Sequence, residues 1–217
     1  MAKAPAVSQK SADRTRNRII KAAEKLFAEK GFRAMTLRDV TRLAKVNLAA
    51  VNYHFGSKTD LVRAVIWQRF EPINRERMEQ LKSLIESHAP KPVPVEATLD
   101  ALIRPLFKCM NQSGKPDTTL MQLIGRAITE PAEFIGPLHK DFFGELCCRF
   151  TDELRRSCPD MTEDELQCRF YLVVSTMLGS LIEQVRLNNL TDGKLDADQF
   201  DRMADELIHF VVAGFIA

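Results

Sequence analysis

Ile19, Ala22, Ala23, Leu26 and Phe27 recur at i, i+3, i+4, i+7 and i+8, a spacing that puts all five on one face of a helix. The stripe ends near Gly31, the residue type that most readily stops a helix. Two much shorter helical segments follow. Thr36 is an N-cap type ahead of a segment reaching about Ala44, and Asn47 is one ahead of a segment reaching about Phe55. Gly56-Ser57 breaks the pattern, and Ser57 can cap a longer helix from Lys58 to about His88, bent at Pro72. No helix crosses Ala89-Pro90-Lys91-Pro92-Val93-Pro94.

Further helices are expected at about 96–113, 118–129, 132–157, 162–188 and 196–215, with Pro105 and Pro137 as possible kinks. Gly114-Lys115-Pro116, Glu130-Pro131, Cys158-Pro159 and Asn188 to Lys194 separate them, and Thr162 with Glu165 has capping-box spacing. No stretch sustains a period of two. The expected class is all-α, about nine helices, with no internal repeat.

Composition narrows the function classes. Hydrophobic residues at 45% and charged residues at 28% suit a globular chain rather than a disordered one. The apolar runs Leu172 to Ile182 and Phe210 to Ala217 fall well short of the ~18–20 residues that span a bilayer. Met1–Ser11 lacks the apolar core of a secretory signal, so a cytoplasmic location is expected. The cysteines Cys109, Cys147, Cys148, Cys158 and Cys168 are odd in number and lack C-x-x-C spacing. That fits reduced thiols packed as small hydrophobes, and the Cys147–Cys148 pair leaves redox sensing as an alternative. The histidines His54, His88, His139 and His209 form no H-x-x-x-H, and Glu206-x-x-His209 is a lone E-x-x-H. Without a Gly-rich phosphate loop or nucleophile elbow either, no catalytic residue, metal ligand or cofactor is expected.

The charge is asymmetric. Residues 1–63 hold 14 Lys and Arg against 5 Asp and Glu, a balance of +9. The remaining 154 hold 17 against 24, or −7, leaving +2 for the chain. A basic head on an acidic body suits a protein that places one end on a polyanion. Charge alone leaves DNA, RNA and an anionic membrane surface open. The first helix lacks Trp and is rich in Ala, which favours core packing over lipid, and RNA recognition on an exposed sheet has no sheet here to use.

The pair 36–44 and 47–55 after an amphipathic helix is the layout of a helix-turn-helix head. Leu37, Val40, Leu43, Ala44, Val46 and Val51 are placed to pack the pair. Asn47, Ala49, Ala50 and Asn52 face outward, where small side chains allow close approach and an Asn can pair with adenine. Thr36, Tyr53, His54 and Lys58 are phosphate-reaching types at element ends.

Phe27-Ala28-Glu29-Lys30-Gly31-Phe32, Met35-Thr36-Leu37-Arg38-Asp39-Val40, Val46, Tyr53-His54-Phe55 and Ser57-Lys58 with Leu61 closely resemble the TetR family of transcriptional regulators over about residues 15–65. The resemblance implies a disordered arm at 1–12, a DNA-binding helix-turn-helix domain at 13–57, and a ligand-binding and dimerisation domain at 58–217. Thr36, Tyr53, His54 and Lys58 would contact phosphate and the 47–52 face would read bases. The full DNA-contacting set expected is Thr36, Arg38, Lys45, Asn47, Leu48, Ala49, Ala50, Asn52, Tyr53, His54 and Lys58. The family's usual turn glycine is Lys45 here, which costs of order 1 kcal/mol if left-handed.

For the rest of the chain the resemblance implies a dimer bundle from the last two long helices, built on Tyr171, Val174, Leu178, Ile182, Leu207, Phe210, Val211 and Phe215. It also implies a pocket, for which Arg104, Phe107, Met110, Met121, Ile124, Arg126, Phe134, Leu138 and Phe142 are the candidates. Met and Phe suit an apolar ligand, and either Arg could hold its carboxylate or phosphate. The segment 46–58 looks most like the branch responding to fatty acids or acyl-coenzyme A. The expected partners are thus a palindromic duplex operator, a small effector and a second copy of the chain, with repression as the family default.

Overall fold

The computed structural model describes residues 6–110, 117–130, 132–183 and 200–217, and for 6–10, 132–135, 138 and 139 the backbone alone. Among the described residues there are nine helices and no strand: α1 (Ala6–Ala34), α2 (Leu37–Ala44), α3 (Leu48–Phe55), α4 (Lys58–His88), α5 (Val95–Met110), α6 (Thr118–Thr129), α7 (Ala132–Ser157), α8 (Glu163–Ile182) and α9 (Phe200–Ile216). None is long and apolar enough to cross a membrane.

The caps read from sequence are made. Thr36, Asn47 and Ser57 accept from the amides of Asp39, Ala50 and Asp60 at 3.1, 2.8 and 3.0 Å. Thr162 and Glu165 complete a reciprocal capping box. Helices α4, α5 and α7 run through Pro72, Pro105 and Pro137. One boundary differs. Residues 6–12, expected within a disordered arm, are helical: Ala6–Asp13 holds neither Gly nor Pro, and Ala, Gln and Lys favour helix. Residues 1–5 of that arm, 111–113 of the fifth predicted helix and the stretches 184–188 and 196–199 lie outside the described residues.

One continuous apolar core runs from Ile19 to Phe215. α4 threads it, burying Leu61, Val65, Phe70, Ile73 and Leu81 and packing on α1, α5 and α7. α1 packs on α2, α3, α4 and α6, and α9 packs chiefly on α5. The three-helix head therefore rests on the body through α4 and α6.

Candidate nucleic-acid interface

The turn between α2 and α3 is held from outside. Lys45 is left-handed (φ 53°, ψ 51°), the strained conformation foreseen for it, and its amide and that of Val46 bond back to Arg42 and Thr41 carbonyls. The end of α2 leaves carbonyls without helical partners. Arg18, on α1, reaches across and donates to the carbonyls of Ala44 and of Lys45, the latter at 2.8 Å. The structural task of Arg18 is to pin the turn. Val40, Ala44 and Val51 are buried between the helices, with Leu37, Val46 and Phe55 partly so. Leu43, expected among them, is exposed, because it lies ~100° round the helix from Ala44 and α1 and α3 cover only one stripe of α2.

Thr36, Arg38, Lys45, Asn47, Leu48, Ala49, Asn52 and Tyr53 are all exposed, and Tyr53 reaches 84%. Leu43 and Leu48 are also large side chains left exposed on these two short helices. Arg38 and Lys45 have no ion pair among the described residues, whereas Arg42 is bound to Asp39 at 2.6 Å. Hydrogen bonding from Thr36 holds the Asp39 carboxyl below its ordinary range, so that acid stays ionised and keeps Arg42 occupied. Ala50, His54 and Lys58 are half-buried. His54 packs edge-on against Tyr53, with ring centroids 5.1 Å apart. Lys58 departs from the expected pattern: its ammonium sits 4.4 Å from the Phe32 ring centroid. Desolvation lowers its pKa, and the nearby Glu130 partly offsets that. It is drawn under α1 because an aromatic face and a carboxylate attract it there.

Replacing Lys45 with Gly removes the left-handed strain and one surface charge together. Thermal unfolding is expected to show a gain of about 1 kcal/mol. The log–log salt slope of duplex binding is expected to shrink by about 0.9. A glycine variant no more stable than the parent would show that the turn is unstrained.

The body's candidates divide differently. Phe107, Met110 and Ile124 are closed inside the core, while Met121 and Phe142 pack half-buried against it. Phe142 lines a cleft of about 230 Å³ between α4 and α7 with Trp67, Phe70, Asn74 and Met78. The side chains of Phe134 and Leu138 lie outside the described residues. Arg104 is not turned to a pocket: it pairs with Asp100, one turn away, and with Asp205 of α9 at 2.9 Å.

Arg126 also leaves the pocket set. Its Nε donates to Ala28 O at 3.2 Å and its Nη2 to Glu29 O at 2.8 Å. Glu130 accepts from the Phe32 amide at 2.8 Å. These carbonyls and this amide flank Gly31 (φ 75°, ψ 176°), where α1 loses its helical path and its polar groups need outside partners. A Cβ on Gly31 would collide with the Glu130 carboxylate and lie 3.2 Å from Arg126 Nη1. At the start of α6, Asp117 caps the helix and pairs with Arg69 of α4 at 3.1 Å, and Arg69 also holds Glu24 of α1. α6 is thus tied to α1 at both ends.

Of the expected dimer residues, Tyr171 and Phe210 are each 70% exposed, whereas Leu207, Val211 and Phe215 are buried within the protomer. Val174, Leu178 and Ile182 are half-buried. Leu172 and Ile216, not singled out in sequence, are exposed as well, and Leu172 lines a cleft with Phe210. Val173, Met177 and Leu181 form the stripe that α8 buries, so Tyr171, Val174, Leu178 and Ile182 lie off it, whereas the expected α9 residues Leu207, Val211 and Phe215 belong to the protomer's own core.

Residues 19–65 match the family described as "Bacterial regulatory proteins, tetR family", and residues 100–214 match "Tetracyclin repressor-like, C-terminal domain". The HTH-type transcriptional repressor NicS of Pseudomonas putida is 38% identical over 69 residues, 32% of each chain, so the match spans about a third of that relative's length. The fatty acid degradation regulator FadR of Bacillus halodurans has the same fold at 15% identity, with a TM-score of 0.65 over 99% of this chain and 98% of that one. FadR of Bacillus subtilis, in complex with stearoyl-CoA, also matches at 15% identity, with a TM-score of 0.57 over 91% and 97% of the two chains.

Proposed function

Because the chain belongs to the TetR family of bacterial regulatory proteins, we propose that it is a cytoplasmic, ligand-responsive repressor that binds a palindromic DNA operator as a dimer. The observation that carries this reading is the exposed α2–α3 face, where Tyr53 stands 84% exposed, Arg38 and Lys45 have no ion pair among the described residues, and Arg18 pins the turn. Asn47, Leu48, Ala49, Ala50 and Asn52 enter the major groove. Thr36, Arg38, Lys45, Tyr53 and His54 hold phosphates, which set register without carrying sequence. Lys58 supports the head from below instead of reaching the backbone.

The exposed face of α8 and α9 joins two copies about a two-fold axis, which spaces the two α3 helices for half-sites about one DNA turn apart. The domains are a head to about residue 57 and a body beyond it. An apolar or amphipathic effector, such as a fatty acid or acyl-coenzyme A, enters the body and favours a conformer whose heads are wrongly spaced. The ties of α6 to α1, together with α4, carry that change to the head. The likeness to a regulator bound to stearoyl-CoA supports the effector class.

The test is selection from a random duplex pool by the purified protein at near-physiological salt. A two-fold symmetric motif is expected, with Asn52→Ala relaxing preference at one position per half-site by about 1–3 kcal/mol. Enrichment of no motif, with binding that vanishes into salt dependence alone, refutes the operator reading.

A further inference from the structure

Arg77 lies on the inward side of α4 and is 3% exposed. Arg69, Arg104, Arg155 and Arg156 all pair with carboxylates. Arg77 forms no ion pair among the described residues. Its Nε donates to Leu102 O at 2.7 Å, its Nη1 to Asn74 Oδ1 at 3.2 Å, and its Nη2 faces the Met177 sulfur at 3.6 Å. All three acceptors are neutral, and a thioether is among the weakest available. Burial pushes the guanidinium down to about 10. A buried charge without a counter-charge is costly, and proteins normally supply one.

Arg77 does not itself line the α4–α7 cleft, but Asn74 connects the two. Asn74, which accepts from Nη1, is also a wall of the α4–α7 cleft, and its Nδ2 donates to Phe142 O at 3.1 Å. The same cleft is lined by Trp67, Phe70, Met78, Phe142 and Leu146. Glu71, Arg75, Asp141 and Glu145 line it as well, with Glu71 paired to Arg75 and Asp141 to Arg63. A cleft with one apolar wall, whose Asn74 touches a buried guanidinium that has no ion pair among the described residues, suits a molecule with an apolar body and one anionic end.

We propose that Arg77 is the anion-binding residue of the effector site, taking the carboxylate of an amphipathic ligand that enters between α4 and α7 and displaces Asn74 and the Met177 sulfur from the guanidinium. This rests on the reading of the body as an effector-binding domain and narrows it: the effector is a free carboxylate, not a neutral ester or amide.

Trp67 is the single tryptophan of the chain and lines the cleft, its ring 5.3 Å from that of Phe142. Its fluorescence reports occupancy. Full-length protein is titrated with decanoate and with decanamide, its uncharged counterpart. The wild type is expected to bind decanoate at least tenfold more tightly than decanamide. Arg77→Met, which replaces the charge by a side chain suited to the core, is expected to bring decanoate down to the amide's level, and Arg77→Lys to retain part of the preference. Equal response to the two compounds in the wild type, no response included, overturns the assignment without recourse to any variant. So does undiminished decanoate preference in Arg77→Met. Duplex selection on the same preparation separates the two readings: a motif without carboxylate preference sinks Arg77 alone, and carboxylate preference without a motif sinks the operator reading alone.

Discussion

Phe210→Glu is expected to leave the protein monomeric and to weaken its hold on a two-fold duplex by at least a thousandfold. Phe210 stands 70% exposed on α9 and shares an apolar cleft between α8 and α9 with the exposed Leu172. In the isolated protomer a carboxylate there remains in water, so the unfolding free energy should change by no more than about 0.5 kcal/mol. In a two-fold interface each carboxylate occurs twice and is buried without a partner, at a cost of several kcal/mol apiece. Sedimentation velocity reads the oligomer and duplex titration reads the consequence. A variant that sediments as a dimer at micromolar concentration would show that the pairing surface lies elsewhere.

Gly31→Ala is the second large effect. A φ of 75° with ψ of 176° belongs to a region open essentially to glycine, so a methyl group costs about 1–3 kcal/mol in backbone strain. The same methyl displaces the Glu130 carboxylate from the Phe32 amide, a charged hydrogen bond of roughly 1.5–3 kcal/mol. Together the loss should be of order 3–5 kcal/mol, or about 10 °C in melting temperature for a chain of this size. Glu130→Gln keeps an acceptor and no methyl intrudes, so it should lose only about 1 kcal/mol. If α6 carries the effector signal, both variants also lower the ratio of operator affinities without and with effector. A Gly31→Ala protein that melts with the parent refutes the tie.

Local features were legible where the interacting groups are close in sequence. The caps at Thr36, Asn47, Ser57 and Thr162 each involve a residue three positions on, and the left-handed turn at Lys45 lies between two caps. The head's outward face followed from the same short-range periodicity. Arg18 reaches residues 26 and 27 positions away, and Arg126 and Glu130 reach carbonyls and an amide 97 and 98 away. Nothing local in Ile124-Gly125-Arg126-Ala127-Ile128 distinguishes an arginine that caps a distant helix from one that anchors a ligand. Likewise Phe107, Met110 and Ile124 have the composition of either a pocket wall or a core, and packing made them core.

By itself the sequence determined that the chain is all-helical, where most helices begin and end, and that a basic helix-turn-helix head precedes an acidic body. These follow from hydrogen bonding and apolar periodicity within a few residues. Only the tertiary structure decided which of two neighbouring apolar stripes on α8 turns inward, which arginines are held by carbonyls or carboxylates, and that Arg77 is buried with no ion pair among the described residues. Those outcomes depend on which helix faces which, and a side chain's partner across a core is set by that packing rather than by its neighbours along the chain.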